Sequence, residues 1–393
     1  MLREEKMIKS KWVKFISILF SILLTFNSFA ELGIIEYFNE LTPQSHINKI
    51  YSDERKDELK GKIVNYNDIE DMIHLYNPEI LNNWNSWRNN KSSQDVYEEY
   101  QDAADRLYDA ASSQDSELQE GMMMAQGRAM QIQADKSASD SYTDFLANYL
   151  AEMQLVLSTK ILDINYQKSA FELLNAEDNI KEAKRGQEKA ENALKYGSGT
   201  QVDLLTAKKA VVDAESALIS AESAQKTYKR KLLLNCGKTS SDDIYITPID
   251  LSIDLNIDTI NLNNDYQMAL AHNIQQEIYR RKIENARNEE VKNEFNILYE
   301  SAPEKIYNDL ENKYRSILDA VDTNYNREIA LNLAKDNLTK ANNEYEHGNI
   351  SEKELLTAEH NVTIARNNLQ SAKYDLKIAV ENYKYSVLGF ASC

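Results

Sequence analysis

Apolar residues recur at steps of three and four over most of this chain. Near its end they read Leu355, Ala358, Val362, Ala365, Leu369, Ala372, Leu376, Ala379 and Tyr383. A seven-residue repeat with two apolar positions predicts a coiled-coil helix, here over 352–388. Large and small residues alternate along the seam. Each small one lets a neighbouring backbone come close, and each large one fills the facing gap. The same kind of seam runs from Leu204 to Leu232, interrupted only by Gln225. Upstream, Leu162, Tyr166, Leu173, Ala176, Ile180, Ala183, Ala190 and Leu194 mark one long helix over 141–196.

Shorter elements precede and separate these rods. Residues 31–62 are polar and mixed, a loosely ordered lead-in. Asp68 stands where a cap would open a short helix carrying Ile69, Met72, Ile73 and Tyr76. Asn77-Pro78 opens the next, with proline where its missing N–H costs nothing. Residues 89–140 are polar, include Ala103, Ala104, Ala110 and Ala111, and hold few β-branched side chains, which favours helix over strand. Residues 238–263 read as a connector, where Pro248 and short Ile/Leu alternation allow a small extended stretch. Helix resumes near Asn264, is expected to pause at Ser301-Ala302-Pro303, and runs on to about His347.

The rods come from an internal repeat. With Gly197 set on Gly348, an offset of 348 − 197 = 151, Leu204-Leu205-Thr206-Ala207 falls on Leu355-Leu356-Thr357-Ala358. Val211, Ala214, Leu218 and Ala221 fall on Val362, Ala365, Leu369 and Ala372. One helix–turn–helix unit is used twice. Its turns are specified chemically. Gly197 and Gly348 can take the left-handed conformation that ends an incoming helix. Thr200 to Asp203 and Ser351 to Glu354 have capping-box spacing, in which hydroxyl and carboxylate each accept from the other residue's amide. The expected fold is all-α and elongated, made of two long antiparallel coiled-coil helical hairpins. The first repeat covers 63–237 with its tip near 197–203, and the second covers 264–393 with its tip near 348–354. Hairpins this thin cannot bury both faces alone. They need neighbours from the same chain or from copies of it.

Composition narrows the function classes. Only 10 Gly and 4 Pro in 393 residues leave little turn punctuation. A net charge of −18 counts against nucleic acid as a partner, because phosphate binding needs a basic face. Lys6, Lys9, Lys11 and Lys14, the apolar run from Phe15 to Phe26 and the ending Ser28-Phe29-Ala30 follow the order of a secretory signal peptide over 1–30. The chain is therefore expected to be exported. No phosphate-cradling glycine loop, nucleophile elbow or HExxH motif occurs, so neither catalysis nor a cofactor is expected. His46, His74, His272, His347 and His360 share no ligand spacing, and no metal is assigned. Met122-Met123-Met124 and Met130 offer either soft Cu(I) ligands or apolar helix filler. Cys236 and Cys393 end their helices away from the tips, where a bridge or two free thiols would fit.

The run Gly197-Ser198-Gly199-Thr200-Gln201-Val202-Asp203-Leu204-Leu205-Thr206-Ala207 resembles the hairpin-tip signature of the TolC-like outer membrane efflux family, Gly-x-x-Thr-x-x-Asp-x-Leu-x-Ala. The second copy, Gly348 to Ala358, is similar, with Ser351 for Thr and Glu354 for Asp. Its approach, Tyr345-Glu346-His347-Gly348, keeps the family spacing. The resemblance implies a homotrimer in the cell envelope, at the outer membrane. It implies that a periplasmic adaptor protein and an inner-membrane pump dock on the tips, at Gly197, Ser198, Gly199, Thr200 and Gly348, Asn349, Ile350, Ser351. It also places Asp203 and Glu354 where the family narrows its entrance, as a possible gate. The family carries two membrane strands in each half. The alternating segments of ~10 residues that such strands need are not found here, so barrel strands are expected to be absent or vestigial. The expected function is the exit duct of a multi-part efflux or secretion system, a trimeric helical tunnel for passive passage of cargo. The missing strands leave an alternative, an exported coiled-coil scaffold or adaptor without a pore. A soluble metal chaperone rests on the methionines alone.

Overall fold

The computed structural model describes residues 38, 40–47, 49–89, 93–114, 116–137, 140–239, 243–252, 257–286 and 288–393. The export segment read over 1–30 lies outside the described residues. The elements, in chain order, are α1 (Pro43–Ile47), α2 (Asp53–Lys60), β1 (Ile63–Val64), α3 (Ile69–Tyr76), α4 (Pro78–Asn89), α5 (Ser93–Ser112), α6 (Glu117–Ser137), α7 (Ser141–Lys195), α8 (Gln201–Asn235), β2 (Tyr245–Ile246), α9 (Leu262–Ala271), α10 (Ile274–Asn285), α11 (Glu289–Glu346) and α12 (Glu352–Tyr385).

The four rods are α7 with 55 residues, α8 with 35, α11 with 58 and α12 with 34. At 1.5 Å per residue the longest spans about 87 Å. Each hairpin closes on its seam. Leu204, Val211 and Leu232 of α8, and Val362, Ala372, Ala379 and Tyr383 of α12, are buried. The hairpins also lie side by side, α7 against α12, so the rods form one row in the order α8, α7, α12, α11. The junction between hairpins joins an apolar patch, Ile164 and Phe171 of α7 against Tyr374 and Ile378 of α12, to several polar pairs. His360 Nδ1 meets Asp178 at 2.6 Å, Asn367 donates to Asn175 at 2.8 Å, and Lys168 meets Asp375 at 2.7 Å.

Away from the tips the rods thicken into an apolar base. Leu59, Val64, Ile69, Met72, Ile73, Phe145, Leu146, Val156, Leu232 and Ile274 are buried there in one cluster. The connector contributes β2, which pairs in parallel with β1, Ile63 opposite Tyr245. These two-residue strands are the only strands among the described residues. They fulfil the short extended stretch expected in the connector.

The repeat reaches into the base. Asn77 ends α3 and caps α4, accepting from the amides of Glu79 and Ile80. Asn273 lies between α9 and α10 and accepts from Gln276. Their side-chain amides donate to the carbonyls of Asn235 and Ala391, where each hairpin ends. The first half is longer between this asparagine and its tip, by 120 − 75 = 45 residues, from 197 − 77 = 120 and 348 − 273 = 75. The α5–α6 hairpin, from Ser93 to Ser137, accounts for the difference. The wide helical turn Ser386–Phe390 then shifts the closing glycine of the second half, Gly389, by one position relative to Gly237.

Some expectations need correction. Helix α11 does not pause at Ser301-Ala302-Pro303. It runs through Pro303, because Ala302, Ile306 and Leu310 are completely buried around it, and packing outweighs the lost hydrogen bond. The interruption falls earlier, between Asn285 and Glu289. Asp68 makes no side-chain cap on α3. Its carboxylate is taken by Arg55 at 2.7 Å. Met122 and Met124 are exposed, not core filler, and successive helix positions point them apart. Cys236 and Cys393 are free thiols in separate apolar clusters.

Candidate functional site

The tips share the same helix ending and the same cap. Gly197 and Gly348 have φ of 75° and 71°. Behind each, the amides of the glycine and the next residue turn back to satisfy the last carbonyls. Gly197 donates to Leu194 at 3.1 Å and Ser198 to Ala193 at 2.9 Å. Gly348 donates to Tyr345 at 2.9 Å and Asn349 to Glu344 at 2.8 Å. This is the Schellman ending, used twice.

The outgoing helices begin with complete capping boxes. The Thr200 amide donates to Asp203 Oδ2 at 2.9 Å, and the Asp203 amide donates to Thr200 Oγ1 at 3.2 Å. The Ser351 amide donates to Glu354 Oε2 at 2.8 Å, and the Glu354 amide donates to Ser351 Oγ at 3.4 Å. Hydrogen bonds from the Thr200 hydroxyl and amide hold the Asp203 carboxyl below its ordinary value. The Ser351 amide and hydroxyl do the same for Glu354, with Lys189 adding a weaker pull. Both carboxylates are thus engaged first as helix caps.

The tips lie at the same end of the molecule. A groove of about 560 Å³ separates them, lined among others by Arg185, Lys189, Tyr196, Ser198, Glu352 and Lys353. Gly197, Ser198, Thr200, Gly348, Asn349 and Ser351 are exposed, while Gly199 and Ile350 are half-buried. A β-carbon on Gly197 or Gly348 would meet nothing within 4 Å. The end surface is therefore open, mixed in charge and rigidly capped.

The base holds a constellation that spacing along the chain could not reveal. Glu152 of α7 is completely buried. Its carboxylate meets His46 Nε2 at 3.0 Å and His74 Nδ1 at 2.8 Å, and accepts from Trp84 Nε1 at 2.7 Å. Burial alone would raise the Glu152 carboxyl. Hydrogen bonds from the two imidazoles outweigh it and hold the group at about 2. His46 lies 106 residues from Glu152 and His74 lies 78, so only the fold brings them together.

No protein-family model matches the chain, and no curated protein does. Solved structures do. A membrane protein from Pseudomonas aeruginosa superposes with a TM-score of 0.51 at 11% identity, over 82% of this chain and 93% of its own. CusC, described through its folding and transmembrane channel formation, gives 0.54 at 12%, over 82% and 92%. The outer-membrane channel OprN gives 0.54 at 11%, over 82% and 89%. The chain has the fold of these outer-membrane channels. At such identities the likeness is one of architecture, and it agrees with the TolC-like resemblance of the tip sequences. Among the described residues, no helix of this outer-membrane-channel fold is long and apolar enough to cross a membrane.

Proposed function

We propose that this chain is the exit duct of a multi-part export system and works as a homotrimeric helical tunnel. One observation carries the reading. The four rods form an open row, and its outer helices, α8 and α11, present apolar residues that nothing among the described residues covers. Val202, Leu205, Val212 and Ile219 are exposed along α8, and Leu318, Tyr325, Ile329 and Leu333 along α11. Unlike edges invite a head-to-tail contact, α8 of one copy against α11 of the next, and such a contact closes into a ring where its rotation allows. Cargo would pass down the axis without a chemical step, with energy supplied by partners. A periplasmic adaptor and an inner-membrane pump would dock on the twin tips. Asp203 and Glu354 would line the narrow entrance as well as cap their helices. Export to the envelope and placement at the outer membrane belong to the same reading. The solution mass of the purified full chain tests it. Three copies are expected, and a monomer at micromolar concentration would contradict the proposal.

A second reading, a scaffold or adaptor without a pore, draws on α5–α6. That helical hairpin occupies the position in the first half where the resembled family carries strands. Loss of the gene would then alter envelope assembly and leave sensitivity to exported compounds unchanged.

A further inference from the structure

We infer that His46, His74 and Glu152 form a binding site for a divalent transition ion, of which zinc is the best fit. The three donors come from α1, α3 and α7, and their ligand atoms all lie within 4.8 Å of one another. Two imidazole nitrogens and one carboxylate oxygen make a borderline-soft set. Zinc accepts that combination with water completing the tetrahedron, whereas calcium and magnesium ask for oxygen ligands throughout.

The dimensions fit a small adjustment. Zinc bonds of about 2.1 Å put tetrahedral donors roughly 3.4 Å apart. The carboxylate already stands 3.0 Å from His46 Nε2 through Oε2 and 2.8 Å from His74 Nδ1 through Oε1. The donors, all within 4.8 Å of one another, are close to that spacing and would have to part slightly to admit the ion.

The surroundings are those of a supported site. Trp84 Nε1 donates to Glu152 Oε2 at 2.7 Å and fixes the carboxylate from behind. The His46 ring lies edge-on to Tyr149 at 4.8 Å, to His74 at 4.9 Å and to Trp84 at 5.5 Å. This wall lowers the local dielectric and strengthens attraction between a cation and the buried carboxylate. His46 keeps 15% of its side chain exposed, which gives the ion a way in from solvent.

Loading would clip the lead-in to the base. Helix α1 and the residues just before it are also tied by Tyr142 Oη to the Phe38 and Leu41 carbonyls and by Arg88 to the Ile47 carbonyl. An ion shared by α1, α3 and α7 would make docking of this segment depend on zinc.

The test is calorimetric titration of the chelator-stripped full chain with zinc chloride, with magnesium chloride as control. One saturable zinc site of low-micromolar affinity or tighter is expected, together with proton release and a raised thermal midpoint. His46→Ala removes a proposed ligand and one partner of the buried Glu152 carboxylate, so far-ultraviolet circular dichroism will check that the rods stay helical. The variant should weaken zinc binding at least tenfold, as should His74→Ala. Absence of saturable zinc binding in the unaltered chain would overturn the inference. So would equal zinc affinity in the His46→Ala, His74→Ala double variant, because the ion would then sit elsewhere on the acidic surface. Neither result bears on whether the rods assemble into a duct.

Discussion

Gly237 ends the first hairpin directly against the carbonyl of Tyr76, with no space for a β-carbon between them. Its φ is 68°. Gly389 stands in the same relation to His272 at the end of the second hairpin. Each glycine lets a rod end flush against the short helix before it, and the asparagine that follows, Asn77 or Asn273, ties the junction with a hydrogen bond.

Gly237→Ala and Gly197→Ala therefore differ sharply, although both positions have left-handed backbone. At Gly197 only the backbone penalty of about 1–2 kcal/mol applies. At Gly237 overpacking adds roughly another 1–3 kcal/mol. Urea denaturation of the two variants, compared with the unaltered chain, will measure the gap. Equal losses would mean that the Tyr76 junction yields.

The capping boxes make the tips pH-sensitive in a defined direction. Asp203 and Glu354 have depressed carboxyl values in the folded chain, so their stabilisation is present above the unfolded value near 4 and is lost as pH falls through the folded one. The Thr200 and Ser351 amides donate to these carboxylates, so their exchange protection factors, corrected for the intrinsic rate at each pH, should fall on acidification before those of the base. Thr200→Ala should cost about 1 kcal/mol at neutral pH and remove most of this acid response at the first tip alone.

Asp163 behaves in the opposite sense. Burial pushes its carboxyl up to about 7, and its Oδ2 has no hydrogen-bond partner. The folded chain therefore holds this proton more tightly than the unfolded chain, whose value is near 3.9. That contribution to stability is complete below about pH 4 and is lost as pH rises through 7. Asp163→Asn should leave stability at pH 4 nearly unchanged and raise it at pH 8 by roughly 2 kcal/mol. The full linkage value of about 4 kcal/mol is not reached, since the amide also leaves a polar atom unpaired. Thermal unfolding of both proteins across that range will decide.

The α5–α6 hairpin should be dispensable for the rods. In the second half the same junction, from α10 to α11, is crossed by residues 286–288 alone. Replacing residues 90–139 with a three-residue linker should preserve the helicity of α7 and α8 and their unfolding midpoint. A molten product would mean that α5–α6 is a folding partner of α7.

Much of this was legible in the sequence where the determinants are local. Gly197, Thr200 and Asp203 sit within seven residues, and their capping chemistry works without a tertiary partner. The seams at Leu204 and Leu355 follow from helical period. The order of the row was not legible, because polar pairs such as Asn175 and Asn367 carry no periodic signal and apolar ones such as Phe171 and Tyr374 do not name their partner helix. Glu152 was missed for a related reason. Its partners are scattered along the chain, and a glutamate among Leu150, Met153 and Leu155 reads as one polar position of an amphipathic helix. Pro303 misled in the other direction, since a local breaking preference of about 3 kcal/mol was outweighed by buried neighbours.

The central claim is that the α8 edge of one copy meets the α11 edge of the next around a hollow axis. Ile219→Glu or Leu333→Glu, one change on each exposed edge, should split the assembly and leave the hairpins helical. Electron microscopy of the purified full chain tests the claim most directly. The account predicts a hollow particle with threefold symmetry and all hairpin tips at one end. A particle with no axial opening, or a twofold dimer that pairs α8 with α8, would contradict it.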